Sequence, residues 1–264
     1  MWCVLNSGVP PQFGFRSGDK GTHTSRTIML DELSTLLESL PAEAGRADYL
    51  AAIIEDNALG KQTAATRKLT AQRLSELYVL DPNVALFRVL RRFWQDDAAG
   101  RPVLALLCSL ARDPLLRATA EPILAMTSGE ELSRQKITDA VRSAVGGRLN
   151  DSTLDKVVRN VSSSWTQSGH LRGRVRKFRQ VIRPTPLATA YALMLGYLEG
   201  LRGGWLFETN WTRVLDASPV ELRNLAVEAK RLSNLDLKAA GDVIEIGFST
   251  VLTPEEIKDS RVTH

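Results

Sequence analysis

GGRLNDSTLDKVVRNVSSSWTQSGHLRGRVRKFRQVIRP, residues 146–184, is the stretch that decides how this chain folds. Gly146-Gly147 marks a turn, and Asn150 or Ser152 supplies a helix N-cap. Leu154, Val158, Val161 and Trp165 then recur on one helical stripe, so the segment predicts a helix through about Gln167 that Gly169 stops. From His170 to Ile182 the residues alternate, and Gly173 permits a tight turn, which predicts a basic β-hairpin. Ser133 caps an earlier helix, Arg134 to Val145. Helix, turn, helix and hairpin in that order are the outline of a winged-helix domain.

Charge singles out the same region. The chain has 34 Lys and Arg against 30 Asp and Glu, a net charge of only +4. Yet no acid occurs from Lys156 to Leu198, and the first half of that gap carries Lys156, Arg159, Arg172, Arg174, Arg176, Lys177, Arg179 and Arg183. Unopposed positive charge attracts polyanions, nucleic acid first among them. On this reading Lys156 and Arg159 lie on the recognition helix with Ser152, Asn160 and Ser163, while Arg172, Arg174, Arg176, Lys177 and Arg179 form a wing that meets phosphates. A solubilising face, or a patch that docks an acidic protein, is the plainer account of the same cations. Trp165, on the apolar stripe, is expected to be structural rather than a base-stacking platform.

Working outward, the 264 residues are 44% hydrophobic, enough for a sizeable core. The glycine-rich start, residues 1–25, is expected to be a flexible tail. Residues 26–128 read as a helical bundle, with segments near Ile28–Leu40, Ala42–Asn57, Ala64–Tyr78 (capped by Thr63), Val84–Trp94, Pro102–Ala111 and Leu115–Met126. Arg67, Lys68 and Arg73 on the Thr63-capped helix make a second helix-turn-helix candidate, although a solvated bundle face explains them as well. Residues 129–185 form the winged-helix-like basic domain, and residues 186–264 a C-terminal helical region with a short strand over Asp242–Phe248. The expected fold class is therefore mainly α: a helical bundle with a helix-turn-helix and a winged-helix-like domain carrying a short β-hairpin.

The chemistry of common enzymes is missing from the pattern. His23, His170 and His264 have no zinc-site spacing, and the glycines of residues 14–20 make no phosphate loop. Asp242 and Glu245 read as solvent-facing strand acids, and Cys108, in an apolar run, as core. The expectation is a protein with no enzymatic activity, cofactor or metal. Two cysteines make no disulfide framework, which fits a reducing cytoplasm, and the apolar runs are too short for a membrane span.

Several features together resemble one family, the BrxA proteins of bacteriophage exclusion (BREX) defence systems. They are Asn57-Ala58-Leu59 followed by Thr66-Arg67-Lys68 and Leu74-Ser75-Glu76-Leu77; LLCSLARDPLL at residues 106–116; Ser152-Thr153-Leu154 leading to Trp165 and Gly169; and the Arg-rich segment up to Pro184. The resemblance runs from about Ile28 to Leu215. It implies a small, helical, non-enzymatic accessory protein that binds duplex DNA and works beside other BREX proteins, among them a methyltransferase and ATPases. It leaves two alternatives, a protein scaffold within the defence complex and an RNA-binding, antitermination-like factor. The first 25 residues and the tail after about Asp216 depart from the family pattern.

Overall fold

The computed structural model describes residues 11–240 and 243–261, and it is mainly helical. The first helices are α1 (Leu30–Glu38), α2 (Arg46–Ile54), α3 (Ala64–Tyr78), α4 (Ala85–Asp96) and α5 (Arg101–Arg112). Thr63 caps α3 by accepting from the Thr66 amide at 3.1 Å. The helix expected over Leu115–Met126 is instead two short ones, α6 (Pro114–Ala118) and α7 (Ala120–Leu124). Pro122 explains the break: it lacks an N–H and its ring clashes with the carbonyl four residues back, at Ala118, where α6 ends.

Two helices form the centre. α5 lies against α3, α4 and α10 (Pro186–Leu198), and every residue of α10 from Leu187 to Leu198 is buried. A helix apolar all round belongs in the interior. The acid-free run from Lys156 to Leu198 therefore has two causes, because its second half is this buried helix and only its first half is basic surface.

Residues 129–185 follow the expected order. α8 (Arg134–Val145) is capped by Ser133, Gly146 and Gly147 turn the chain at φ +57° and +77°, and α9 (Asp151–Gln167) starts on Asn150, which accepts from the Thr153 amide at 2.8 Å. β1 (Leu171–Arg172) pairs antiparallel with β2 (Phe178–Arg179). A third segment joins them unannounced by any pattern: the Gly129 amide donates to the Arg179 carbonyl and the Leu132 amide to that of Lys177, at 2.9 and 2.8 Å, and Glu131 lies opposite Phe178.

Beyond α10 come a 3₁₀ segment (Gly203–Glu208), α11 (Asn210–Arg213), α12 (Pro219–Arg231), an antiparallel hairpin of β3 (Asp236–Ala240) and β4 (Val243–Gly247), and α13 (Pro254–Asp259). The expected strand is β4, although Asp242 lies outside the described residues; its partner β3 was not anticipated. One apolar core runs from Phe13 to Leu252 and draws on all of these regions, so residues 129–185 share their core with the bundle.

The N-terminal expectation needs correction over residues 11–25; residues 1–10 lie outside the described ones. Phe13 and His23 are fully buried, and Phe15 is nearly so. The Arg16 amide donates to the Ala111 carbonyl at 3.1 Å, Arg117 reaches back to the Arg16 carbonyl at 2.9 Å, and Arg112 bonds the Gly14 carbonyl. The segment is a strap, tied to the end of α5 by Arg112 and to α6 by Arg117, arginines that no local pattern could connect with it.

Candidate nucleic-acid interface

A groove of about 630 Å³ opens between α9 and the β1–β2 hairpin, with Arg159, Asn160 and Ser163 on its helix side, Arg174, Val175 and Lys177 on its hairpin side, and Glu131 and Arg134 also in its lining. The hairpin turns tightly at Gly173, whose φ is +123° and where a Cβ would stand 2.0 Å from the Arg176 carbonyl oxygen. Only glycine fits there. Val175 at the tip is 92% exposed.

The expected cations divide into two groups. Lys156 and Arg159 on α9, Arg172 and Arg174 on the wing, and Arg183 beyond it are exposed. Among the described residues, no carboxylate lies within ion-pair distance of any of these five. The other three are engaged by the protein. The Arg176 fork holds both oxygens of Glu131, with Nε–Oε1 at 2.8 Å, and lies over the Phe178 ring. Lys177 Nζ donates to Thr166 Oγ1 at 2.8 Å, tying the wing to α9, and burial pushes its pKa down. Arg179 is 2% exposed and paired with Asp216.

Arg179 thus corrects the expected wing. Its register explains why: it lies opposite Leu171, and directly opposed residues share a face of the ladder, here the core face on which Leu171 is buried. Glu131 and Asp216 come from 45 and 37 residues away, so the gap in acids along the chain is partly closed in space.

On α3, Arg67 donates to the Glu55 carbonyl at 3.2 Å and Arg73 pairs with Glu76 at 2.8 Å, while Lys68 bonds none of the described residues. The structure places Lys68 in a different hollow from the groove.

One constellation escaped the sequence pattern. His23 Nδ1 lies 2.8 Å from Asp113 Oδ2 and its Nε2 2.8 Å from Ser164 Oγ, an acid–base–hydroxyl order with the spacing of a nucleophilic triad. Here the hydroxyl is already committed, donating to the Asn160 carbonyl at 2.9 Å and accepting from the Ile28 amide at 3.0 Å. All three residues are at most 1% exposed, so as folded no substrate reaches Ser164. Asp113 also takes the Leu115 and Leu116 amides on its other oxygen. The arrangement clasps the strap to α9 and to the start of α6. At Gly21 the strap passes so close that a Cβ would stand 2.2 Å from Asp113 Oδ1.

His170, expected beside the wing, is buried with its ring edge-on to Trp165, and it bonds Ser168 Oγ at 2.9 Å and the Val214 carbonyl at 2.8 Å. Burial pushes its pKa down to about 4. Trp165 is itself fully buried and donates Nε1–H to Thr119 Oγ1 at 2.9 Å. Among the described residues, no group of His, Cys, Asp and Glu is gathered to hold a metal ion, and no helix is long and apolar enough to cross a membrane. No protein-family model matches the chain, and no curated protein is significantly similar to it.

Proposed function

We propose that the protein is a non-enzymatic DNA-binding component of a BREX-type phage-defence system, and that it grips duplex DNA between α9 and the wing. The observation that carries the DNA reading is the groove, where Arg159 and Arg174 face a common hollow from opposite sides without acid partners. The order of elements supports it: α7, the paired segment at Glu131, α8, α9, β1, wing and β2 follow the succession of a winged helix, with α9 in the place of the recognition helix. Ser163 supplies a hydroxyl for base edges or phosphates, whereas the Asn160 amide donates to the His23 carbonyl at 2.9 Å and offers mainly its oxygen. Duplex DNA is favoured over duplex RNA because an α-helix enters the major groove of B-DNA but not the deep, narrow one of A-form RNA.

Membership of the BrxA family, and with it the partnership with other defence proteins, rests on the residues from Ile28 to Leu215 that resemble that family. A gene neighbourhood with a methyltransferase and ATPases supports it; its absence removes the pathway and leaves the DNA reading standing. The test of the DNA reading is binding of the purified protein to duplex DNA, duplex RNA and single strands at two salt concentrations. Tightest binding to duplex DNA that weakens steeply with salt is expected. No binding at low salt refutes the proposal.

A further inference from the structure

A second concavity, separate from the groove beside α9, lies where the strap crosses the bundle. It is a shallow, open depression of about 460 Å³, and Arg16 of the strap, Arg46 of α2, Lys68 of α3 and Arg112 at the end of α5 border it. Glu76 is the one carboxylate in its wall. That carboxylate is occupied, by Arg73 at 2.8 Å and by the Thr22 hydroxyl at 2.8 Å. Among the described residues, none of the four bordering cations has an acid within ion-pair distance.

Arg112 is the unusual member. It is 9% exposed, and its guanidinium bonds only neutral carbonyls, those of Glu76 at 2.8 Å, Ser75 at 3.3 Å and Gly14. Buried charges are ordinarily paired, because taking a lone cation out of water costs several kcal/mol. Burial pushes its pKa down to about 10; the positive charge of Arg16 acts in the same direction, while Cys108, Tyr191 and Glu76 oppose it. The fold thus brings two like charges together at a hollow whose one acid, Glu76, is already held by Arg73 and Thr22. The backbone of Arg16 is fixed there by its bonds to Ala111 and Arg117, so the side chain is presented from a held position.

We propose that this hollow binds a phosphate group, with Arg16, Arg46 and Lys68 meeting its oxygens and Arg112 supplying a buried positive field behind them. The site uses none of the wing residues, so it stands or falls independently of the DNA groove. Its ligand is either a free phosphate compound or one phosphate of a nucleic-acid strand, and two arms of one experiment separate these.

The experiment follows thermal melting of the full chain in sodium phosphate and in pyrophosphate, against sodium chloride at equal ionic strength. Alongside it runs the double variant Arg16→Gln, Lys68→Gln, whose side chains make no bond the fold depends on. The wild type is expected to melt about 2–3 °C higher at ten times the dissociation constant, and the double variant to lose that gain while melting normally in chloride. An equal gain in the variant marks general salting rather than a site and overturns the proposal, as does no gain in the wild type. In the second arm, duplex DNA binding is measured for both proteins. A loss of tenfold or more in the variant identifies the phosphate as part of the nucleic acid, and unchanged DNA binding identifies a free phosphate compound.

Discussion

Arg179 on β2 and Asp216, just after α11, form an ion pair that is almost wholly buried, and the second carboxylate oxygen of Asp216 accepts the Ile182 amide at 3.1 Å. The pair joins the base of the wing to the C-terminal region. Removing one member leaves the other charged and unpaired in the interior, which typically costs about 3–5 kcal/mol. Arg179→Ala is therefore expected to lower the melting temperature sharply. Arg179→Met with Asp216→Asn should recover much of the loss, because the amide oxygen still accepts the Ile182 N–H and no unpaired charge remains. A single variant that melts like the wild type but binds DNA poorly returns Arg179 to the surface wing.

The exposed cations give the opposite signature. Arg172→Ala with Arg174→Ala removes two charges that no acid holds, so all DNA sequences should weaken alike while melting hardly changes. If all five unpaired cations meet phosphates, the log–log salt slope of the wild type is about −4 to −5, and the variant loses roughly two units of it. Lys177→Ala is expected to act differently, because it unties the wing from Thr166. Electrophoretic shifts at several salt concentrations, read beside melting curves, check both. A full slope in the double variant removes the wing from the interface.

The difference between Arg174 and Arg179 shows what could be read from the chain and what could not. Caps and periodicity are local, so α3 and α8 begin at the caps Thr63 and Ser133, α9 begins at Asn150, the first of two candidate caps, and α9 ends just before Gly169. The hairpin was legible, but its register was not, and register alone decides that Arg179 shares the core face of Leu171. The Pro122 break carried a readable signal that the Leu and Ala pattern around it obscured. The strap had none, because its burial depends on Arg112, Asp113, Arg117 and Ser164, between roughly 90 and 140 residues away. β3 begins Asp-Leu-Lys and has too little β-branched or aromatic character to mark a strand.

Trp165 separates a structural from a stacking role. Its ring is fully buried and its N–H is taken by Thr119. Trp165→Ala should cost about 3–5 kcal/mol through the cavity it leaves, with DNA affinity falling only as the fold loosens. Unchanged melting with lost binding would instead mark a base-stacking side chain.

The His23 clasp is expected to act on stability alone. Ser164→Ala leaves the Ile28 amide and His23 Nε2 without a buried partner, a loss of about 1–3 kcal/mol. Urea unfolding should register it, and proteolysis within residues 11–25 should speed up as the strap loosens. If the variant unfolds at the wild-type midpoint, the clasp does not hold the strap.

Two buried groups make stability depend on pH in opposite directions. Burial holds His170 at about 4, below its ordinary 6.5, so its share of stability is complete above pH 6.5 and is lost as pH falls toward 4, by at most ~3 kcal/mol. Burial raises Glu199 to about 7 from 4.5, although the Trp211 N–H at 2.8 Å opposes the shift. Its share is complete below pH 4.5 and is lost as pH rises through 7. Glu199→Gln keeps an oxygen for Trp211 without the charge, so it should stabilise the protein above pH 7 and make little difference near pH 4. His170→Gln loses its contact with Trp165 and costs stability at pH 7.5, but that deficit should shrink as pH falls from 6.5 to 4, because the variant has no imidazole to protonate. Urea midpoints across pH 4 to 8 for the three proteins test both shifts. A His170→Gln deficit that stays constant over that range shows that His170 is not held neutral in the fold.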